Sequence, residues 1–552
     1  MPSVPIDPLS GPKLALAGRV VCMDPAYTVR DRATVYIENG AIADVVPAGA
    51  GAAAPPAFAG VPVVDTGGTL FPGLIELHNH LAYNILRLWA VPQPFTNRGQ
   101  WTRVPDYPRL VSGPMRVIGQ TPELLPAVAR YTECKCLLGG VTTTQGLYLA
   151  SNQSAPRYYK GIVRNVEQTG DPALPEAGSR VGDVAASSLA DFRRALGTRT
   201  CYLLHLAEGL DQSARNHFLA LHDTATGEWA ITPSLAGIHS AALKPIDFGV
   251  MAQHGAAMVW SPLSNLLLYG GTANVTAAKA AGVRIGLGSD WSPSGSKNLL
   301  GELKAAFVVS RELGGVFSDR ELVAMATCGG AAILGWQQAL GSLAQGRRAD
   351  PLVVKGTTGD PYRALIRAKE TAITLVMING VPRYGVPALM TALGVPDTAE
   401  KVAVGGSPRR LYLEQTTQDP AVRPVTLTQG RTALGQALRT LPARARAQAA
   451  TPSVAVTSVG IGPRDRGPEV WTLALDELLP SPTEMRPRIA MPGLRDAAGP
   501  MTITAAAVAP EDLPTLTLDP LTVVDHRGFL AAITAQRNLP QYVKDGLEKM
   551  YG

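Results

Sequence analysis

Cysteine is scarce in this chain, with Cys22, Cys134, Cys136, Cys201 and Cys328 scattered over 552 residues. The only close pair, Cys134-Lys-Cys136, lacks the C-x-x-C spacing of redox and zinc motifs, so a disulfide framework and a cysteine metal site are both unexpected and the thiols read as buried and free. Charge is also sparse, at 17% of residues against 46% hydrophobic. The formal charge of +6 is dispersed among acids rather than gathered into a basic stripe, and nucleic-acid binding is not expected without one. No apolar stretch reaches the roughly eighteen residues of a membrane helix, and "MPSVPIDPLSGPKLALAG" at the start has no sustained apolar core of a signal peptide. The expectation is a soluble, cytoplasmic protein with apolar material enough for two or three domains.

What is present is a change of pattern along the chain. "LALAGRVVCM" and "ATVYIENGAIADVV" read as short strands, with a turn at Asp24-Pro25 and a hairpin signal at Asn39-Gly40. After the Ala/Pro-rich "AGAGAAAPPAFAG", apolar runs alternate with helical stretches: "GVTTTQGL", "GIVRNVEQ", "CYLLHLAEG", "LAGIHS", "AAMVWSPLSN" and "VRIGLGSDW". Buried strands separated by helices predict a parallel α/β sheet, and their number favours a closed barrel. No comparable run stands between Gln168 and Thr200. Near Gly341 the pattern returns to strands, in "GSLAQGRRADPLVV" and "ITLVMINGVPRYG", which can complete the sheet begun at the N-terminus. From about Pro396 the chain is rich in Pro, Ala and Arg, with a helix predicted over "LTQGRTALGQALRTL", strand-like pieces at "SVAVTSVGI" and "MTITAAAVA", and a terminal helix at "QYVKDGLEKMY".

Chemistry concentrates in "PGLIELHNHLAYN", Pro72 to Asn84. In a strand, residues i and i+2 face one side, so His78 and His80 converge while Asn79 turns away. The pair gains weight from later strand ends: His205 with Glu208 three residues on, His239, and Asp290. In a parallel barrel all these ends gather at one mouth. Three imidazoles and a carboxylate suit a borderline divalent ion such as Zn²⁺ or Fe²⁺ with a position left for water, whose pKa the ion lowers towards neutrality. His217 and His222, in a helical stretch, His254, before Gly255, and His526, in the tail, read as packed or solvated imidazoles.

These residues resemble the amidohydrolase superfamily, in its branch of cytosine and guanine deaminases and triazine chlorohydrolases. The likeness lies in Pro-Gly-Leu-Ile-x-x-His-x-His at Pro72 to His80, His-x-x-Glu at His205 to Glu208, His239, "SPLSNLLLYGG" from Ser261, and Gly-Ser-Asp at Gly288 to Asp290. It spans residues from about Gly18 to Met390. The resemblance implies an α/β fold: a (β/α)8 TIM-like barrel with a small composite β-sandwich domain from the N-terminal and post-barrel segments, plus a C-terminal α+β extension. The expected division is 1–68 and 339–395 for the two parts of the sandwich, 69–338 for the barrel and 396–552 for the extension.

The same resemblance implies that His78, His80, His205 and Asp290 ligate one divalent ion, Zn²⁺ first and Fe²⁺ second, with a metal-bound hydroxide as nucleophile. Asp290 would also accept a proton from the attacking water, Glu208 would protonate the ring nitrogen or leaving group, and His239 would orient the hydroxide or polarise the carbon. No lysine stands where two-metal members carry a carboxylated lysine. The implied activity is hydrolysis of a non-peptide carbon–nitrogen bond, foremost deamination of an aminated heterocycle. Amide or cyclic-amide hydrolysis is the alternative, and a non-catalytic scaffold working through its extension comes third.

The long loop "LAYNILRLWAVPQPFTNRGQWTRVPDYP" after the first barrel strand supplies Tyr83, Asn84, Trp89, Phe95, Arg98, Trp101 and Arg103 as candidates to meet a planar, polar substrate. Tyr83, Asn84, Arg98, Trp101, Trp291 and Lys297 are the expected substrate contacts, Lys297 for an anionic group at a helix start. A small-molecule substrate, no nucleic acid, no membrane and a homodimer are the expected partners.

Overall fold

A computed structural model describes residues 6–49, 53–154, 156–182, 184, 188–450, 469–475 and 512–552. The strand-like pieces "SVAVTSVGI" and "MTITAAAVA" lie outside the described residues.

The opening strands are where alternation and turn chemistry place them. Val29–Glu38 and Ala41–Pro47 pair antiparallel through Asn39 and Gly40, both at positive φ (49° and 72°), the conformation a two-residue hairpin of this twist requires. Leu14–Val21 pairs with Val29–Glu38 on one side and with Val63–Pro72 on the other. Val63–Pro72 then takes up Pro351–Lys355, some 280 residues later, in antiparallel register from Pro351↔Pro72 to Lys355↔Gly68. Ile373–Ile378, Val381–Gly385, Ser407–Leu411 and Glu400–Val404 extend the same sheet to nine strands. Leu16, Val35 and Leu70 from one half share a buried apolar cluster with Val353, Leu375 and Met377 from the other. Each half leaves an open edge that the other covers, which is why strands so distant in sequence pair.

Between these halves lie two parallel sheets. One is Gly178–Arg180, Tyr202–Leu206, Leu235–His239, Ala257–Trp260 and Arg284–Leu287 in sequence order; the other is Leu74–Ile75, Val141–Thr144 and Arg164–Asn165. Backbone hydrogen bonds join them at both edges, from Ala177 to Val166 (2.8 Å) and from Leu77 to Leu287 (3.1 Å). The arrangement is TIM-barrel-like, with helices such as Leu125–Leu138 and Leu299–Glu312 outside. Gly178–Arg180 is the strand for which no sequence signal was found between Gln168 and Thr200. Its three residues pair with Tyr202–Leu206 over Gly178↔Tyr202 to Arg180↔Leu204, and a segment reading Gly-Ser-Arg carries no apolar run.

The extension folds back onto this body. Leu427–Arg439 packs against Leu125–Leu138, and the terminal helix Gln541–Tyr551 against Leu299–Glu312. A Cβ at Gly546 would stand 2.5 Å from Val308 Cγ1, so glycine sets how closely those helices approach. Phe529, Ile533 and Leu547 join the same buried cluster as Leu303 and Val309. The cysteines are free, four buried and Cys328 half-buried. Among the described residues no helix is long and apolar enough to cross a membrane.

Candidate metal and catalytic site

The site forms where strand ends stop being regular. Ala207, His239, Ser240 and Asp290 all have positive φ (51°, 67°, 51° and 65°), a region costly for residues with a Cβ; the first three end or directly follow a parallel strand, and Asp290 stands in the short segment after the strand Arg284–Leu287. Such bends turn side chains from the strand direction into the mouth. The seam beside Asp290 is tight: Asp290 N donates to His78 O (3.0 Å) and His80 N to Asp290 O (2.7 Å). A Cβ on Gly288 would fall 2.5 Å from His78 Cβ, so only glycine lets these segments meet.

The structure brings together all six residues singled out for chemistry. His78, His205, His239, Glu208 and Asp290 are buried, and His80 is half-buried. The candidate ligand atoms of His78, His80 and Asp290, and those of His78, His205 and His239, each lie within 4.8 Å of one another. His80 Nε2 and His205 Nε2 are 3.3 Å apart, and Asp290 Oδ1 is 3.1 Å from His78 Nε2 and 3.6 Å from His80 Nε2. Two ligands about 2.0–2.1 Å from a tetrahedral ion stand roughly 3.3 Å from each other. His78 Nε2 is buried and makes no hydrogen bond, although a carboxylate oxygen lies within 3.1 Å. A nitrogen and an oxygen that are close but not aimed at one another fit a shared ion between them.

Hydrogen bonds at the outer ring nitrogens fix which imidazoles offer a lone pair. Gln145 Oε1 accepts from the backbone N–H of Asn79 (3.1 Å), so it also accepts from His78 Nδ1 (2.9 Å), leaving His78 Nε2 unprotonated. His205 Nδ1 faces the carbonyl of Arg180 (3.3 Å), an acceptor only, with the same result at its Nε2. His239 differs. The indole N–H of Trp260 donates to Thr272 Oγ1 (2.8 Å), that hydroxyl donates to Asn265 Oδ1 (3.2 Å), and the Asn265 amide donates to His239 Nδ1 (3.1 Å). In this relay His239 Nε2 carries the proton, 3.8 Å from Glu208 Oε2, and acts as a donor.

The two carboxylates sit in contrasting surroundings. Burial works against the Asp290 carboxylate, but the charged forms of His78, His239 and His80 around it lower its pKa, and Ser264 Oγ donates to its Oδ2 at 2.6 Å. Glu208 is pushed up by burial, opposed by Arg98 (Nη1 3.7 Å from Oε2), while Tyr269 donates to its Oε1 at 2.7 Å. One carboxylate is thus kept ionised and its neighbour is suited to carrying a proton.

The sequence reading missed Gln145, Ser264, Asn265 and Tyr269. The last three stand inside the quoted "SPLSNLLLYGG", on the helix Pro262–Tyr269, and Gln145 directly follows the strand Val141–Thr144, so the strand-end rule that found the histidines also reaches it.

The expected substrate contacts divide. Tyr83 lines a cavity with His80 and His205. Trp101 and Trp291 pack edge-on or tilted with Tyr107 and Tyr83 in an aromatic group beside His80, and Trp101 Nε1 donates to Tyr269 Oη (2.8 Å). Arg98 stands at Glu208 and also donates to Val181 O (2.7 Å). Asn84 spends both ends of its amide on the protein, accepting from Ser292 N and donating to Asn79 Oδ1, both at 2.8 Å. Lys297 does not face a substrate: its ammonium is buried against Asp519 of the extension, because a buried cation requires a carboxylate. Trp89 and Phe95 are buried and Arg103 is exposed. Of the remaining histidines, His217 is half-buried on the helix Gln212–Leu219, His254 caps the helix Pro245–Gln253 and His526 approaches Asp519. His222 lies outside the helix expected for it, in a short strand beside Trp229.

Comparison with known proteins bears out the resemblance. Residues 197–383 match the amidohydrolase family model. A 5-methylthioadenosine/S-adenosylhomocysteine deaminase of Symbiobacterium thermophilum is 24% identical over 409 residues, 66% of this chain and 89% of its own length. An S-triazine hydrolase of Gordonia rubripertincta is 28% identical over 183 residues, covering 32% of this chain and 37% of its own. Among solved structures, an adenosine deaminase from Xanthomonas campestris with bound zinc superposes with a TM-score of 0.53 at 20% identity, over 69% of this chain and 94% of its own, a likeness of fold.

Proposed function

We propose that this relative of the amidohydrolases is a metal-dependent hydrolase of non-peptide carbon–nitrogen bonds, and that its reaction is hydrolytic deamination of an aminated heterocycle. The observation that carries the reading is the clustering of the Nε2 atoms of His78, His80 and His205 with Asp290 Oδ1, neighbours standing at ligand-to-ligand distances, beside a buried Glu208. In this reading His78, His80, His205 and Asp290 hold one ion, Zn²⁺ before Fe²⁺, since three imidazoles and a carboxylate suit a borderline metal. When bound, the ion supplies hydroxide near neutral pH.

The chain's own residues do the rest. Asp290, ionised and oriented by Ser264, takes the proton of the attacking water. His239 directs its Nε2 proton at the oxygen or at the substrate group under attack. Glu208, whose carboxyl burial pushes up, delivers its proton to the ring nitrogen; the proton on Asp290 then passes to the amino group, and the hydroxyl proton of the tetrahedral adduct returns to Glu208 as the carbonyl forms and neutral ammonia departs. Tyr269 and Arg98 hold the carboxyl in place for that delivery.

The closed eight-stranded barrel, the composite domain of 1–68 and 339–395, the barrel at 69–338 and the extension at 396–552 belong to the same reading, as do a small-molecule substrate, a homodimer and a cytoplasmic location. The test is ammonia release from a panel of aminopurines, aminopyrimidines and amino-s-triazines by zinc-loaded protein, beside Glu208→Gln. Release that falls by about 10²–10⁴-fold in the variant, with its metal content unchanged, supports deamination. Turnover of cyclic amides with no ammonia released would replace it with amide hydrolysis.

A further inference from the structure

The extension returns to the mouth of the barrel as a strand. Trp471–Leu473 pairs antiparallel with Tyr148–Ser151, in the register Trp471↔Ser151 to Leu473↔Leu149, and Ala474 N continues it to Tyr148 O (2.8 Å). The attachment is specific. Glu469 accepts from the hydroxyls of Ser151 (3.1 Å) and Ser154 (2.8 Å), Val470 N donates to Asn152 Oδ1 (2.8 Å), and the Arg157 guanidinium lies 4.5 Å from the Trp471 ring centroid. Leu473 and Leu475 are buried, and a Cβ at Gly119 would touch both, so the segment is wedged onto the helix Gly113–Gly119.

This strand faces the chemistry. Leu473, Ala474 and Leu475 line the same cavity as His80 and His205, together with Leu147 and Tyr158. A neighbouring part of the lining is polar: Glu167, a buried carboxylate pushed up to about 7 by burial, accepts from Gly146 N (2.9 Å) and Gln145 Nε2 (3.4 Å). The cavity beside the histidines therefore has an apolar wall taken from the far end of the sequence and a polar side taken from the barrel.

We infer that Leu473–Leu475 form a specificity wall, and that the substrate is an aminated heterocycle bearing an apolar substituent, alkyl or alkylthio, that packs against it. The inference rests on the deaminase reading for the heterocycle and on the wall for the substituent. Burying an isopropyl-sized group against such a wall favours the substituted ligand by about tenfold or more over one with hydrogen or hydroxyl in its place.

The experiment measures binding and turnover separately. Calorimetry on zinc-loaded Glu208→Gln protein compares 5′-methylthioadenosine with adenosine, and N-isopropylmelamine with melamine, while ammonia release from the same four compounds is followed with the active enzyme. The expected result is a preference of about tenfold or more for the substituted member of at least one pair. Leu473→Ser should shrink that preference to about threefold or less with the unsubstituted member unchanged. Ala474→Leu, which fills rather than empties the wall, should weaken the substituted member alone and serves if the serine variant does not fold. Binding without preference, loss of both members together in the variants, or no binding by any of the four overturns the wall. A preference in binding without ammonia from any compound leaves the wall standing and overturns the deaminase reading.

Discussion

Ser264 Oγ donates to Asp290 Oδ2 at 2.6 Å, while the other oxygen of the same carboxylate faces His78 at 3.1 Å and His80 at 3.6 Å. One hydrogen bond therefore decides which oxygen is left for an ion. Replacing Ser264 with Ala should cost about 10–100-fold in metal affinity or activity, the scale of an outer-shell partner. Chelator competition on zinc-loaded protein measures it, and unchanged affinity together with unchanged kcat would show that Asp290 needs no such orientation.

Tyr269 works against burial at Glu208. Its hydroxyl donates to Glu208 Oε1 and favours the charged carboxylate, opposing the burial that raises it. Tyr269→Phe removes that support, so the Glu208 pKa rises further. If Glu208 acts as the acid, activity is lost as pH climbs through that pKa, and the basic limb of kcat/KM should move to higher pH in the variant. A limb that stays in place would assign it to another group.

Asp519 ties the extension to the barrel through buried ion pairs. Its carboxylate is fully buried, 2.6 Å from Lys135 Nζ and in contact with Lys297, and Lys135 in turn donates to Ser292 Oγ (2.7 Å) and Asn84 O (2.9 Å) near the site. Asp519→Asn leaves two buried ammonium groups without their carboxylate and should destabilise by about 3–5 kcal/mol, read by denaturant unfolding. The two lysines hold the Asp519 pKa below its usual 3.8, burial opposing them. The folded state thus binds fewer protons than the unfolded one near that pH, so the contribution is present above about pH 4 and is lost as pH falls through the lowered value. The gap between wild type and variant should therefore narrow on acidification, and a gap independent of pH would exclude the carboxylate as its source.

How legible all this was in the sequence varies with how local the cause is. His78, His80, His205, His239 and Asp290 could be found because each ends an apolar run, and strand direction alone brings such ends together. The Asn39-Gly40 hairpin is local chemistry as well. Gly178–Arg180 was hidden because its strand character comes from its neighbour Tyr202–Leu206 and not from its own side chains. Lys297 looks like a substrate contact in the sequence because its partner, Asp519, lies 222 residues away in a segment with no motif. A still longer separation hid Leu473, whose place in the cavity depends on pairing with Leu149. Gln145, Ser264 and Tyr269 were within reach, since they occupy strand ends or a stretch already singled out, but they act through another residue and sequence shows only that they are polar.

Whether His78 and His80 hold an ion is read from elemental analysis of the purified protein beside its His78→Ala/His80→Ala double variant. About one Zn or Fe per wild-type chain is expected and none in the double variant, because two of the four ligands are gone. Wild-type protein that takes up no metal even after reconstitution, or a double variant that keeps a full equivalent, would contradict that expectation.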